Sequence, residues 1–194
     1  RIFQEPYWLF FPLGIFCGFI GIGHWLVYAI GFANAYSSYM HASIQMQTYM
    51  ICFIGGFLIT AMPRLAQAKP ASLIETGGLM FFIFGILSSL LAAKWVPANL
   101  FFTASLLWLL FFGFRRAMSS HRTVKVNPPV EFLWVLIALI HGILGSLLFL
   151  AGTSKIAGSW AILTGKSMTQ HGFVLAVVLG VGGFLAPRLM GTFK

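Results

Sequence analysis

Six apolar runs, separated by short polar, basic or proline-bearing breaks, leave this chain one class of fold. The runs cover about 8–32, 41–62, 72–93, 98–114, 130–151 and 168–190. A stretch of ~20 apolar residues crosses a bilayer as a helix, because only a helix satisfies every backbone polar group within itself there. The expected architecture is therefore all-α: a polytopic transmembrane helix bundle of six spans, forming a single domain over residues 1–194. The segment 153–167 has room for a short surface helix around Ile156–Leu163. Charge supports the assignment, since 8% of residues are charged where soluble domains carry roughly 25%.

The net charge of +9 would suggest nucleic acid in a soluble protein. Here the basic residues lie between the apolar runs, so they act as topology signals and nucleic acid is excluded. Arg1, Arg64, Lys69, Arg115, Arg116, Arg122, Lys125, Arg188 and Lys194 fall on one side; Lys94, Lys155 and Lys166 fall on the other. Nine against three predicts that both termini are cytoplasmic, with the basic loop meeting anionic lipid. The sequence contains no Asp, and Glu5, Glu75 and Glu131 all stand at expected span ends. Ion-coupled transporters place carboxylates within their spans, so that class is disfavoured. Cys17 and Cys52 fall inside spans and read as small apolar packing rather than a disulfide framework. The chain opens on Arg rather than Met and its last span closes near Lys194, so it reads as a processed or partial version of something longer.

The second run carries the main clue. It begins at His41, has Gln45 one turn further on the same face, and closes on Gly55-Gly56-Phe57-Leu58 and Pro63-Arg64. The last run repeats the design, from His171 through Gly182-Gly183-Phe184-Leu185 to Pro187-Arg188. Span 1 carries Gly14-x-x-x-Gly18 followed by Gly21 and Gly23, a small-residue face suited to close helix contact. His24 lies in span 1 and His141 near the middle of span 5, so spans 1–2 and 5–6 each pair an inner with an outer histidine. Equal orientation of the two pairs implies a parallel repeat about the membrane normal. On this reading His41 and His171 share a depth near the outer face.

A buried neutral imidazole needs a partner for each ring nitrogen, and a metal is one way to supply it. Haem iron takes two axial nitrogens, commonly from different helices of a bundle. The cofactor-binding candidates are therefore His41, His171, His24 and His141, with haem b as the expected group. Copper is the second metal expectation, resting on His41 and His171 with the thioethers of Met46 and Met168 nearby. The plainer alternative is that each histidine hydrogen-bonds a neighbouring helix and each Met is packing. No nucleophile, base or acid constellation is legible, so no turnover chemistry is assigned and the chain reads as a binding protein.

Three patches resemble the NnrS family: Glu5-Pro-Tyr-Trp-Leu-Phe-Phe-Pro-Leu-Gly-Ile; His41-Ala-Ser-Ile-Gln-Met with Gly56-Phe-Leu-Ile-Thr-Ala-Met-Pro-Arg; and Gln170-His171-Gly-Phe-Val through Gly-Gly-Phe-Leu-Ala-Pro-Arg-Leu-Met-Gly. The resemblance implies a polytopic haem- and copper-containing protein of the bacterial inner membrane, linked to nitric oxide metabolism and nitrosative stress. By position it implies His41 and His171 as first ligand candidates. Family members have more spans, so this chain is expected to be half-sized or incomplete. Gln45 stands where an acidic residue often follows the span 2 histidine. Two other readings compete: a haem-free accessory or scaffolding subunit of a larger respiratory or photosynthetic membrane complex, and a small-solute or metal transporter. A homo-oligomer is compatible with any of the three.

Overall fold

The computed structural model describes residues 5–120 and 129–191. Arg1, His121, Arg122, Lys125, Asn127, Pro128 and Lys194, part of the expected topology signals and span 5 entry, lie outside the described residues. The described chain is helical, with six helices long and apolar enough to cross a membrane. They are α1 (Tyr7–Ala29), α2 (Ser38–Leu65), α3 (Leu73–Leu91), α4 (Trp95–Met118), α5 (Phe132–Thr153) and α6 (Ser159–Leu189). The one substantial departure from the sequence reading is α6. The surface helix expected around Ile156–Leu163 is not separate: Ser159–Ser167 runs on into the span. Gly158 in extended backbone marks the entry, and no residue after it breaks the helix.

The connections are short because four helices end on a left-handed residue that turns the chain at once. These are Gly31 after α1, Gln67 after α2, Ala93 after α3 and Lys155 after α5. In each case a following amide returns to a carbonyl of the last turn, as Lys94 N does to Ser89 O at 2.8 Å and Ile156 N to Ala151 O at 2.9 Å. Trp95 then starts α4 with Pro97 in its first turn, where the missing N–H has no helical acceptor to lose.

Within the bundle α2 is central and the two terminal helices are peripheral: 56% of α2 is buried, against 28% of α1 and of α6. The apolar core joins α2, α3, α4 and α5 through Ile51, Leu58, Leu79, Ile83, Phe102, Leu106 and Val135. One face carries Arg64, Arg115, Arg116 and Arg188, and is called here the basic face. There the buried Glu75 completes a capping box with Ser72 and also binds Arg116 at 2.7 Å and Arg115 at 3.6 Å. Its carbonyl accepts from Trp108 Nε1 at 2.9 Å, so α3 and α4 are tied together at this end. Glu5, half-buried on the same face and paired with Arg64, is held below the ordinary carboxylate range by the Tyr7 hydroxyl and by that arginine.

Candidate functional site

The five histidines divide by place in the fold. His121 lies outside the described residues. His24 stands five residues before the end of α1 (29 − 24) and His41 three residues into α2 (41 − 38), both ~5–8 Å from the face opposite the basic one. His141 is twelve residues before the end of α5 (153 − 141) and His171 twelve into α6 (171 − 159), both ~18 Å along from those helix ends. Lys166, five residues before His171, lies over the ring of Tyr39, two residues before His41, so α6 starts beyond the level at which α2 starts. In the first hairpin His24 and His41 flank Tyr36; in the second the His141 ring lies against Gly172.

Glycine builds the first hairpin. Gly14, Gly18 and Gly21 present one buried stripe of α1 to α2. A Cβ on Gly14 would stand 2.9 Å from Cys52 Cβ, and one on Gly21 would stand 2.7 Å from Gln45 Nε2. With the side chains absent, polar groups of α2 reach the α1 backbone. Gln45 Nε2 donates to Gly18 O at 3.1 Å and His41 Nδ1 donates to Gly21 O at 2.8 Å. At the top of the seam Ser37 caps α2 through its hydroxyl, while its backbone N–H donates to His24 Nε2 at 3.1 Å. Tyr36 lies between the two imidazoles, 5.5 Å from His24 and 6.5 Å from His41 between ring centres.

These bonds fix tautomers. A carbonyl only accepts, so Nδ1 of His41 carries the proton and Nε2 keeps an open lone pair. His141 is held the same way, its Nδ1 donating to Ile137 O at 3.0 Å. His24 is the reverse: its Nε2 lone pair is spent on the Ser37 amide. An Nδ1–H anchored on a backbone carbonyl is the usual support for a histidine that binds metal through Nε2. His41 and His141 therefore have ligand form, and His24 does not. His171 is exposed.

The second hairpin repeats the glycine construction. On α5 the buried face runs through Gly142, Gly145 and Gly152. A Cβ on Gly165 of α6 would meet backbone atoms of α5, Gly145 O at 2.5 Å and Phe149 N at 2.6 Å. The His141 ring lies against Gly172, 3.1 Å from where a Cβ would be, and Met168 packs on Gly145. Two of the four histidine-bearing helices are interrupted by π turns, Gln45–Tyr49 in α2 and Met168–Gly172 in α6, the latter containing His171. A second π turn in α6 covers Val178–Gly182. Such insertions recur at functional sites.

A buried polar network was not anticipated from the sequence. Gln47 Nε2 donates to Asn99 Oδ1 at 3.1 Å, and Asn99 Nδ2 donates to the Tyr39 hydroxyl at 3.2 Å. Thr103 and Ser146 extend it into α5. Beside it is a cavity of about 10 Å³ lined by Ser43, Met46, Gln47, Thr169 and Gln170 among others, with Lys166 over the Tyr39 ring at 4.8 Å. The buried Gln47 Oε1 has no hydrogen-bond partner. Such a volume holds a single water. Met46 and Met168 do not share a contact surface: Met46 lines this cavity while Met168 faces α5.

Two larger cavities lie toward the basic face. One of about 360 Å³ is lined by Phe11, Phe57, Thr60 and Phe184, between α1, α2 and α6. The other, about 480 Å³ and almost wholly apolar, is lined by Leu58, Leu109, Val135 and Leu139, between α2, α4 and α5. No histidine lines any of the three cavities. Among the described residues no group of three or more His, Cys, Asp or Glu could hold a metal ion. The open Nε2 atoms of His41 and His141 are donors of the kind haem iron takes, but they face different helices, His41 toward α1 and His141 toward α6, and neither lines one of these cavities.

The family model described as NnrS protein matches residues 1–193, essentially the whole chain. No curated protein and no solved structure matches.

Proposed function

The chain belongs to the NnrS family, and from that premise we propose that it is a haem-binding protein of the bacterial inner membrane serving nitric oxide or respiratory metabolism. The observation that carries the proposal is the tautomer of His41 and His141, each with its Nδ1 proton on a backbone carbonyl and its Nε2 lone pair open. Each of those two residues would offer haem iron an Nε2 ligand on its own hairpin, with the exposed His171 available from the lipid side; His24 would position the Ser37 turn. Bound haem b would supply one-electron chemistry there. Copper, if present, would draw on His41, His171, Met46 or Met168. The charge asymmetry of the sequence supports a topology with both termini in the cytoplasm.

An absorption spectrum of the purified protein tests this. A Soret band is expected, diminished in His41→Ala and in His141→Ala and retained in His24→Ala. An unchanged band in both of the first two variants would overturn the assignment. A second reading, a haem-free scaffolding subunit, is favoured by Gln45 and His41 acting side by side as seam hydrogen bonds to α1. A stoichiometric partner on purification, with no metal by elemental analysis, would select it.

A further inference from the structure

Cys17 of α1 and Cys52 of α2 are the chain's two cysteines, 35 positions apart (52 − 17), and both are free and fully buried. Cys17 lies on the buried stripe of α1 whose Gly14 and Gly18 press against Cys52 and Tyr49 of α2, so the fold seats both thiols in one seam. Two features produce this juxtaposition. Gly14, three residues before Cys17, lets α1 approach until a Cβ there would touch Cys52 Cβ. On α2 the π turn Gln45–Tyr49 resets the register just before Cys52.

We propose that Cys17 and Cys52 form a redox-active dithiol that closes to an intramolecular disulfide between α1 and α2 on exposure to a small uncharged peroxide. Packing alone does not require two sulfurs at one contact, and the seam favours the disulfide over other uses of the pair. A metal held by two thiolates would add negative charge where α1 has no charged residue and the only cation of α2, Arg64, is twelve positions away (64 − 52). Burying such a charge unpaired is costly, whereas a disulfide is neutral and apolar.

The chemistry balances with hydrogen peroxide as oxidant. One thiol sulfur attacks an oxygen; the S–O bond forms as O–O breaks, giving a sulfenic acid and water. The second sulfur then attacks the sulfenic sulfur; S–S forms, S–O breaks, and a second water leaves with the remaining thiol proton. The pair loses two electrons and peroxide gains them. The product fixes α1, which packs chiefly on α2, at the middle of the seam whose far end carries His24 and His41. The proposal is independent of haem.

The test uses the purified full chain in detergent, reduced and then treated with hydrogen peroxide. Unreacted thiols are counted by N-ethylmaleimide under denaturing conditions and intact mass. The expected result is a monomer two hydrogens lighter with no alkylated thiol, restored to two by dithiothreitol, and a higher unfolding midpoint in the oxidised form. In Cys17→Ser and in Cys52→Ser the remaining thiol should stay alkylatable at the same dose. Two alkylated thiols after peroxide, a disulfide-linked dimer, or sulfinic mass additions without the two-hydrogen loss would each overturn the proposal. The wild-type mass reading decides even if neither variant folds.

Discussion

In α2 the two glycines of the Gly-Gly-Phe-Leu segment are pressed on both sides: a Cβ on Gly55 would stand 2.5 Å from Leu79 of α3, and one on Gly56 2.7 Å from Phe10 of α1. In α6 the two glycines of the same segment stand nearly free, with nothing within 4 Å of a Cβ on Gly182 and only Glu131 Cγ at 3.4 Å from one on Gly183, while Phe184 is buried against Phe132 of α5. The α5–α6 hairpin is closed by other glycines, Gly145 and Gly165 at its far end and Gly180 against Val135 and Glu131. The glycine pair thus serves as a helix contact where a helix has neighbours on two sides, and is left unused where it has one. The likeness between the hairpins lies in their glycine seams and π turns more than in the shared tetrapeptide.

The sharpest break of the comparison is Gly165→Ala. Its Cβ would collide with α5 main chain, which cannot step aside as a side-chain tip can. A cost near the upper end of overpacking, about 3 kcal/mol, is expected in SDS-titration unfolding of the detergent-solubilised protein. Gly56→Ala meets side-chain atoms only, nearest the Cβ of the buried Phe10, so a smaller cost of about 1–2 kcal/mol is expected from the same measurement. Equal costs for the two would mean the hairpins are closed in the same way after all.

Gln47→Leu probes what lies between the hairpins. It removes the unpartnered Oε1 but also the donor to Asn99 Oδ1. Stranding a buried acceptor costs ~1–3 kcal/mol, and losing the orphan offsets part of it. A net loss of about 1 kcal/mol is expected, with Asn99→Leu costing more because Asn99 serves Tyr39 as well. A gain in stability for Gln47→Leu would show that the cavity beside it is apolar in practice.

Much of this was legible in the residues. Apolar run lengths mark the six helices, and the spacing of Gly14, Gly18 and Gly21 marks the α1 face that meets α2. Gln45 one turn from His41 announces that both reach the same neighbour, and the structure gives that neighbour as α1. What the residues did not disclose depends on contacts distant in sequence. Glu75 meets Arg115 and Arg116 some forty positions away, so those arginines read as a topology signal alone. Cys17 and Cys52 meet only because two helices cross at a glycine. The π turns have no residue signature, since one shifted hydrogen bond creates them, yet they determine which way the side chains around Thr48 and His171 point. The start of α6 was missed because Lys155, Gly158 and Lys166 imitate a loop.

The mildest test is Gly182→Ala, and it bears directly on the motif. In an ordinary helix interior Ala is favoured over Gly by ~1 kcal/mol, because Gly loses more backbone freedom on folding. Position 182 closes a π turn with open space around it, so nothing opposes that preference. The expected result is no loss, or a gain of a few tenths of a kcal/mol, in the unfolding titration that penalises Gly56→Ala. A loss of 1 kcal/mol or more would mean that this face of α6 is covered in the membrane by something beyond the single chain, such as a second copy or a further helix. In that case the two Gly-Gly-Phe-Leu segments do the same work, and the contrast between the hairpins belongs to the isolated chain alone.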